Sequence, residues 1–210
     1  MSAQVYPEAL PKRGTLAYLE AFPNEVLTMS LDEYWENELK NEYKSEFYKN
    51  KVTAIMPYTS EPHNQIVLKI VRLLGDYIDN NHWKLSSETR PVWIPACELN
   101  TYPDIFITKN SQTIVRKNYQ IAEMTPSVII EVLSQSTESM DKGEKLRCYK
   151  NIAGLEQYIL ISQDKKLIEI YENNDNKWVY DFVEGNGQFV TIAGLKISLD
   201  EIYKNIDLEF

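Results

Sequence analysis

The chain predicts an α/β (α+β) fold in which a mixed central β-sheet is flanked by helices. Two observations carry that reading. The runs 103–108, 127–134 and 156–162 are almost continuous in Val, Ile, Leu and Phe. Strands covered on both faces have this character, because neither side meets water. The segment 61–81 instead repeats apolar residues at helical spacing, and a helix also reads from about 138 to 152, stopping near Gly154. A helix directly between strands 127–134 and 156–162 predicts that those two strands run parallel.

Residues 1–30 read as an N-terminal extension, with Pro7, Pro11 and Pro23 and no sustained periodicity. Residues 31–210 read as a single domain. Ser30 and Glu33 form a capping box that starts a helix at Leu31. Glu46 to Met56 reads as a strand or hairpin arm ending at Pro57. Ser60-Glu61-Pro62 then opens the clearest helix. Its apolar stripe is His63, Ile66, Val67, Ile70, Val71, Leu74 and Ile78, and it ends near Asp79-Asn80-Asn81. Residues 83–94 are extended, with Pro91 marking an edge or a break. After the strand at 156–162, residues 166–192 read as a meander turning at 173–176 and 184–187. A short helix from Leu199 to Tyr203 closes the domain.

Composition narrows the possibilities. With 210 residues, 43% hydrophobic and only 7 Gly, the chain can bury a core. No apolar run approaches the ~18 residues of a membrane span, and Met1 to Pro7 lacks a secretory layout. The expected location is cytoplasmic. Cys97 and Cys148 are then expected as two structural thiols, since two cysteines make neither a disulfide framework nor a zinc site. The net charge of −9 argues against strong non-specific nucleic-acid binding, although a bound cation reverses the local sign.

Against this background two acids stand out. Asp104 lies in Tyr102-Pro103-Asp104-Ile105-Phe106-Ile107, and Glu131 in Val128-Ile129-Ile130-Glu131-Val132-Leu133. A carboxylate inside an apolar run is costly to bury alone, so a pair calls for a cation or a base. Pro103 marks a strand start, which sets Asp104 at the opening of its strand. If the two strands are neighbours, both carboxylates converge on one ion. Oxygen ligands suit Mg2+ or Mn2+ better than Zn2+. On the following helix Asp141, Lys145 and Tyr149 share a face at i, i+4 and i+8. The Lys145 ammonium can there orient water or stabilise charge on phosphorus.

These residues, in this order, resemble the Uma-type family of restriction endonucleases within the PD-(D/E)XK nuclease superfamily. The match is carried by Pro103-Asp104, by Glu131-Val132-Leu133-Ser134 with Ser136-Thr137, and by Asp141, Lys145 and Tyr149. It continues through Gly154-Leu155-Glu156-Gln157-Tyr158 and Gly194-Leu195-Lys196-Ile197-Ser198-Leu199. The resemblance implies a restriction-endonuclease-like core of helix, three-stranded meander, helix and strand. It makes Asp104 and Glu131 metal ligands and Lys145 a catalytic lysine moved from the position two after Glu131, which is Leu133. Glu46 and His63 fall where the family has a Glu on the first strand and a His opening the long helix. Glu46 reads as an extra ligand or a cap partner, and His63 as a core histidine or a phosphate contact. Tyr102, Gln135, Ile159 and Ser162 depart from the family pattern. Trp83, Trp93, Tyr102 and Tyr119 offer either base stacking or core packing.

The expected function is metal-dependent hydrolysis of DNA phosphodiester bonds, by a homodimer, with DNA as substrate and no membrane partner. A nuclease-fold module that binds or regulates without cutting is the alternative, as is a homo-oligomeric scaffold for protein partners.

Overall fold

The computed structural model describes residues 15–22, 24–40, 44–55, 59–116, 119–134 and 137–208. Pro7, Pro11, Met56, Pro57, Gln135 and Ser136 lie outside the described residues, as does Pro23.

The first elements are short. Helix α1, Leu16–Ala21, is capped by the Thr15 hydroxyl, which accepts from the Tyr18 N–H. Strand β1 is Val26–Thr28 and helix α2 is Leu31–Glu38. The capping box forms as expected: Glu33 N–H donates to Ser30 Oγ at 3.3 Å, and Ser30 N–H to Glu33 Oε2 at 2.9 Å. The hairpin arm resolves into β2, Ser45–Tyr48, and β3, Lys51–Ala54. Lys49 and Asn50 turn between them with φ of 47° and 64°, the left-handed pair that a tight hairpin needs.

Helix α3 runs Glu61–Asn80 from an N-cap at Ser60 with Pro at its first turn, and it buries His63, Ile66, Val67, Ile70, Leu74 and Ile78. The extended stretch divides at Pro91 into β4, Lys84–Ser87, and β5, Val92–Ile94. A 3-10 turn at Pro95–Cys97 leads to β6, Leu99–Thr101, and β7, Ile105–Thr108. Strands β8, Thr113–Arg116, and β9, Tyr119–Glu123, precede β10, Val128–Leu133. The next helix has three pieces: α4, Glu138–Met140, a π turn at Asp141–Lys145, and α5, Leu146–Tyr149. Then come β11, Gln157–Ser162; β12, Leu167–Asn174; β13, Lys177–Glu184; β14, Phe189–Ile192; β15, Leu195–Ser198; and α6, Leu199–Ile202.

One central sheet was expected, and the strands divide between two large ones and a separate antiparallel pair, β14-β15. A six-stranded sheet has the order β13-β12-β11-β10-β7-β4, and a seven-stranded sheet the order β1-β3-β2-β6-β5-β9-β8. Pro91 is where the chain leaves one sheet for the other, since β4 and β5 belong to different sheets. A proline has no N–H for a ladder, so pairing cannot run through it. In the six-stranded sheet β4, β7 and β10 form an antiparallel meander, and β10 pairs parallel with β11 across the intervening helix. Helix, meander, helix and strand thus occur in the order read from the sequence.

Strand alternation sends β10 to two cores. Val128, Ile130 and Val132 pack with Ile66, Ile70, Leu74 and Ile78 of α3. Ile129 and Leu133 face the other way, onto Cys148 and Tyr149 of α5 and onto Val92, Ile94 and Leu99 of the seven-stranded sheet. Period two places Glu131 on that second face, between the sheets. A third cluster joins Leu16, Leu19 and Leu27 to Tyr34, Trp35, Phe47 and Trp93.

The cysteine reading is corrected. Cys97 and Cys148 are bonded to each other across 51 residues of sequence. The bridge ties the turn after β5 to α5, beside Tyr149. Such a separation leaves no trace in spacing, because the tertiary fold alone brings the two sulfurs together. In the chain-entropy view a loop of this length is worth about 4 kcal/mol. Reducing the bridge, or replacing Cys97 with Ser, should lower unfolding stability by roughly 2–4 kcal/mol. Urea denaturation with and without dithiothreitol measures this; an unchanged midpoint would contradict it.

Candidate functional site

The antiparallel ladder between β7 and β10 stops at the pair Ile105–Ile130. Beyond it Pro103 has no N–H to offer, so the next backbone donors need other acceptors. The two acids supply them reciprocally. Asp104 N–H donates to Glu131 Oε2 at 3.1 Å, and Val132 N–H donates to Asp104 Oδ2 at 2.6 Å. Each carboxylate thereby closes the strand end that carries the other.

Glu131 is 4% exposed and its second oxygen accepts from the Tyr149 hydroxyl at 2.8 Å. Lys145 Nζ lies 3.6 Å from Glu131, 3.4 Å from Glu46 and 3.1 Å from Asp141. Lys145 and Asp141 bracket the π turn and are both buried. A π turn packs an extra residue into the helix, a device that recurs at functional sites. Tyr158 fixes that turn, donating from its hydroxyl to Asp141 O at 3.1 Å, with its ring edge-on to Tyr149 at 4.9 Å. Glu46 is held by the Thr101 hydroxyl. The face position two residues after Glu131 is filled by Leu133, which packs with Cys148 and Tyr149. The ammonium at Glu131 therefore comes from the next helix.

Asp104 has a second neighbourhood on the α3 side. His63 Nε2 lies 3.3 Å from Asp104 Oδ1, yet it is buried and makes no hydrogen bond of acceptable geometry. Glu88 follows β4 with φ of 22°, and its carboxylate joins them. One ligand atom each from His63, Glu88 and Asp104 lie within 4.8 Å of one another. A cleft of about 650 Å3 is lined by Trp35, Glu38, Ser87, Arg90 and Tyr102 among others, and Asp104 is not part of its lining.

Charge balance in this region is one-sided. Glu46, Glu131 and Asp141 surround one ammonium, while Asp104 and Glu88 lie beside the imidazole. Burial pushes the Glu131 carboxyl up to about 8, although Lys145 opposes the shift. Burial likewise raises Asp141. For Lys145 burial works downward, but Glu131, Glu46 and Asp141 hold it well above the usual lysine range. His63 also loses by burial, and the Asp104 carboxylate more than restores it. A cluster with surplus carboxylates, raised acids and an orphaned buried imidazole nitrogen fits a divalent cation.

The family model "Uma2: Putative restriction endonuclease" matches residues 31–201. The chain belongs to that family. Two Synechocystis proteins are similar along most of their length. "Uncharacterized protein sll1609" is 30% identical over 79% of this chain and 93% of its own. "Uncharacterized protein slr1290" is 27% identical over 85% and 93%. A crystal structure from Anabaena variabilis, described as a putative nuclease belonging to DUF820, superposes with a TM-score of 0.63. It covers 80% of this chain and 96% of that one at 18% identity, which is a likeness of fold.

In this Uma2-family chain all seven residues singled out by sequence gather around the two acids: Asp104, Glu131, Lys145, Glu46, His63, Asp141 and Tyr149. The aromatics divide differently. Trp93 is buried in the core, Trp83 packs on Tyr77 with Lys109 over its ring, and Tyr102 donates to Glu38 at 2.6 Å. The Tyr119 side chain lies outside the described residues. Glu88 escaped sequence reading; the polar break Ser86-Ser87-Glu88-Thr89 before Arg90-Pro91 was its only signal. Among the described residues no helix is long and apolar enough to cross a membrane.

The raised Glu131 carboxyl has a measurable consequence. The folded chain keeps a proton there up to about pH 8, whereas the unfolded chain loses it near its ordinary value of 4.5. Stability from this group is therefore present at low pH and is lost as pH rises through that window. In EDTA the melting temperature should fall between pH 5 and 9, and Glu131→Gln should flatten the slope. A parallel slope in the variant would contradict the assignment.

Proposed function

We propose that this Uma2-family protein is a Mg2+- or Mn2+-dependent endodeoxyribonuclease that hydrolyses DNA phosphodiester bonds. The observation that supports this most is the reciprocal closure of Asp104 and Glu131 with Lys145 in the same buried cluster. Asp104 is the shared ligand. Glu131 flanks it on the α5 side, and His63 with Glu88 on the α3 side. When bound, the cation would acidify a water and draw charge from a phosphoryl oxygen.

The chain's own residues do the rest. Lys145, held as an ammonium, acts as a hydrogen-bond donor and a positive charge, not as a general base. It orients the attacking water and stabilises negative charge at phosphorus. Glu46 and Asp141 keep the ammonium charged and centred. Tyr149 fixes the Glu131 carboxylate through its hydroxyl. His63 Nε2, 3.3 Å from Asp104 Oδ1 and without a hydrogen bond of its own, would share the ion with it. The working unit is the domain 31–210; residues 1–30 form an extension whose described part packs through Leu16, Leu19 and Leu27. We place the protein in the cytoplasm as a homodimer, where the Cys97–Cys148 bridge would face reduction.

One observation favours a second reading, a nuclease-fold module that binds DNA without cutting it. The net charge is −9, and Lys142, the basic side chain beside Lys145, is committed to Glu138 and Glu169.

Plasmid relaxation separates the two. Wild type with Mn2+ or Mg2+ should nick supercoiled DNA, and EDTA should stop it. Asp104→Asn and Lys145→Met should each reduce the rate on the order of 10²-fold or more. Equal rates in wild type and both variants would remove the site from the reaction. Mn2+ calorimetry offers a readout without DNA: His63→Gln should weaken Mn2+ binding more than Mg2+ binding, because imidazole favours the softer ion.

A further inference from the structure

Strand β13 forms one end of the six-stranded sheet, and among the described residues nothing pairs with its outer edge. It pairs with β12 over all eight residues with no bulge. It contains neither proline nor glycine, and its single lysine stands at its first position. Edge strands normally carry such features because an open ladder invites another strand.

The edge is also apolar. Val179, Tyr180 and Phe182 are each about half exposed, at 49%, 52% and 52%. Tyr171, Tyr180 and Phe182 make a run of ring contacts, at 5.1 and 6.5 Å, that reaches the edge. Trp178 shares that face under Lys150.

Hydrogen-bond parity fixes what can pair with the edge. Gly185 N–H bonds to Lys166 O at 2.9 Å, continuing the β12 register. Odd-numbered positions of β13 therefore point their N–H and C=O groups at β12, and even-numbered positions point them outward. Phe182 agrees: its N–H is met by the Asp181 side chain at 2.8 Å. Two copies related by a two-fold axis can join only if even positions face even positions. An axis through Tyr180 does this over residues 177–183. Tyr180 then faces Tyr180 of the second copy, and Trp178 faces Phe182 of the second copy, twice by symmetry. On the opposite face Asp181 lies diagonally between Lys177 and Asp181 of the second copy, so an opposite-charge pair offsets a like-charge one. An axis through Asp181 would instead set two carboxylates face to face.

We propose that β13 is a self-association edge, and that its occupant is the β13 of a second copy in antiparallel register centred on Tyr180. This names a surface for the homodimer without resting on the nuclease reading. The two copies carry −9 each, a long-range repulsion that salt screens. Dimerisation should therefore tighten with salt, the reverse of a phosphate contact.

Sedimentation equilibrium from 1 to 100 µM, at 50 and 500 mM NaCl, tests this with wild type, Phe182→Lys and Tyr180→Pro. Phe182 is exposed and the Tyr180 N–H points outward, so neither change removes a backbone bond to β12, although Tyr180→Pro gives up the 3.3 Å bond from its hydroxyl to Glu169. Circular dichroism and melting temperature check the fold of each. Wild type should dimerise, more tightly at high salt, and each variant should weaken the dimer about tenfold or more. Amide exchange on the wild type should slow at Tyr180 and Phe182 as concentration rises. A wild type that stays monomeric at 100 µM in both salts overturns the proposal. So does a dimer that neither variant weakens, which would put the second copy on another surface.

Discussion

The ladder between β7 and β10 ends in two carboxylates that each accept the backbone N–H next to the other. Much of the site follows from that exchange. It holds Asp104 and Glu131 at a fixed separation where strand pairing gives out. It also leaves Glu131 buried between the sheets, where an unpaired charge is not tolerated. Burial accordingly raises the Glu131 carboxyl, and Lys145, which opposes that shift, is itself surrounded by Glu46 and Asp141. On the α3 side Asp104 Oδ1 faces the unbonded His63 Nε2, with the Glu88 carboxylate beside them. Buried atoms without a hydrogen bond remain on both sides, Asp141 Oδ1 towards α5 and His63 Nε2 on α3.

The scaffold converges on this point from several directions. The long helix α3 contributes His63 from its first turn while its apolar stripe supports β7 and β10. The seven-stranded sheet contributes Glu46 from β2 and, through Cys97, a covalent tie to α5. Asp141 and Lys145 are both drawn inward by the π turn, and Tyr158 of β11 pins that turn from the parallel strand. Disturbing any of these elements would move a carboxylate, the imidazole or the ammonium. At the π turn both lysines, Lys142 and Lys145, are committed to carboxylates, which is the physical tension in the proposed activity.

Much of this arrangement was legible in the sequence, for definite reasons. The capping box at Ser30, the stripe of α3, the continuous apolar run of β10 and the strand-helix-strand order each reflect local periodicity. Asp104 and Glu131 were visible because an acid in an apolar strand breaks its surroundings. Lys145 was visible from its helical spacing to Asp141 and Tyr149. What escaped depends on distant contacts or on single backbone angles. The Cys97–Cys148 bridge spans 51 residues. The departure of the chain into a second sheet at Pro91 had a break signal but no indication of destination. Glu88 reaches Asp104 through a positive φ at a residue that is not glycine. The helices and strands of residues 16–28 are too short to show a period.

The most direct test of the account is where a cation binds. Crystals grown with Mn2+ and measured at the manganese absorption edge locate the ion without reference to activity. The account predicts an anomalous peak in coordination contact with the Asp104 carboxylate, with Glu131 or the His63–Glu88 pair completing its ligands. A fully occupied peak elsewhere, or no peak at millimolar Mn2+ with both acids intact, would contradict it.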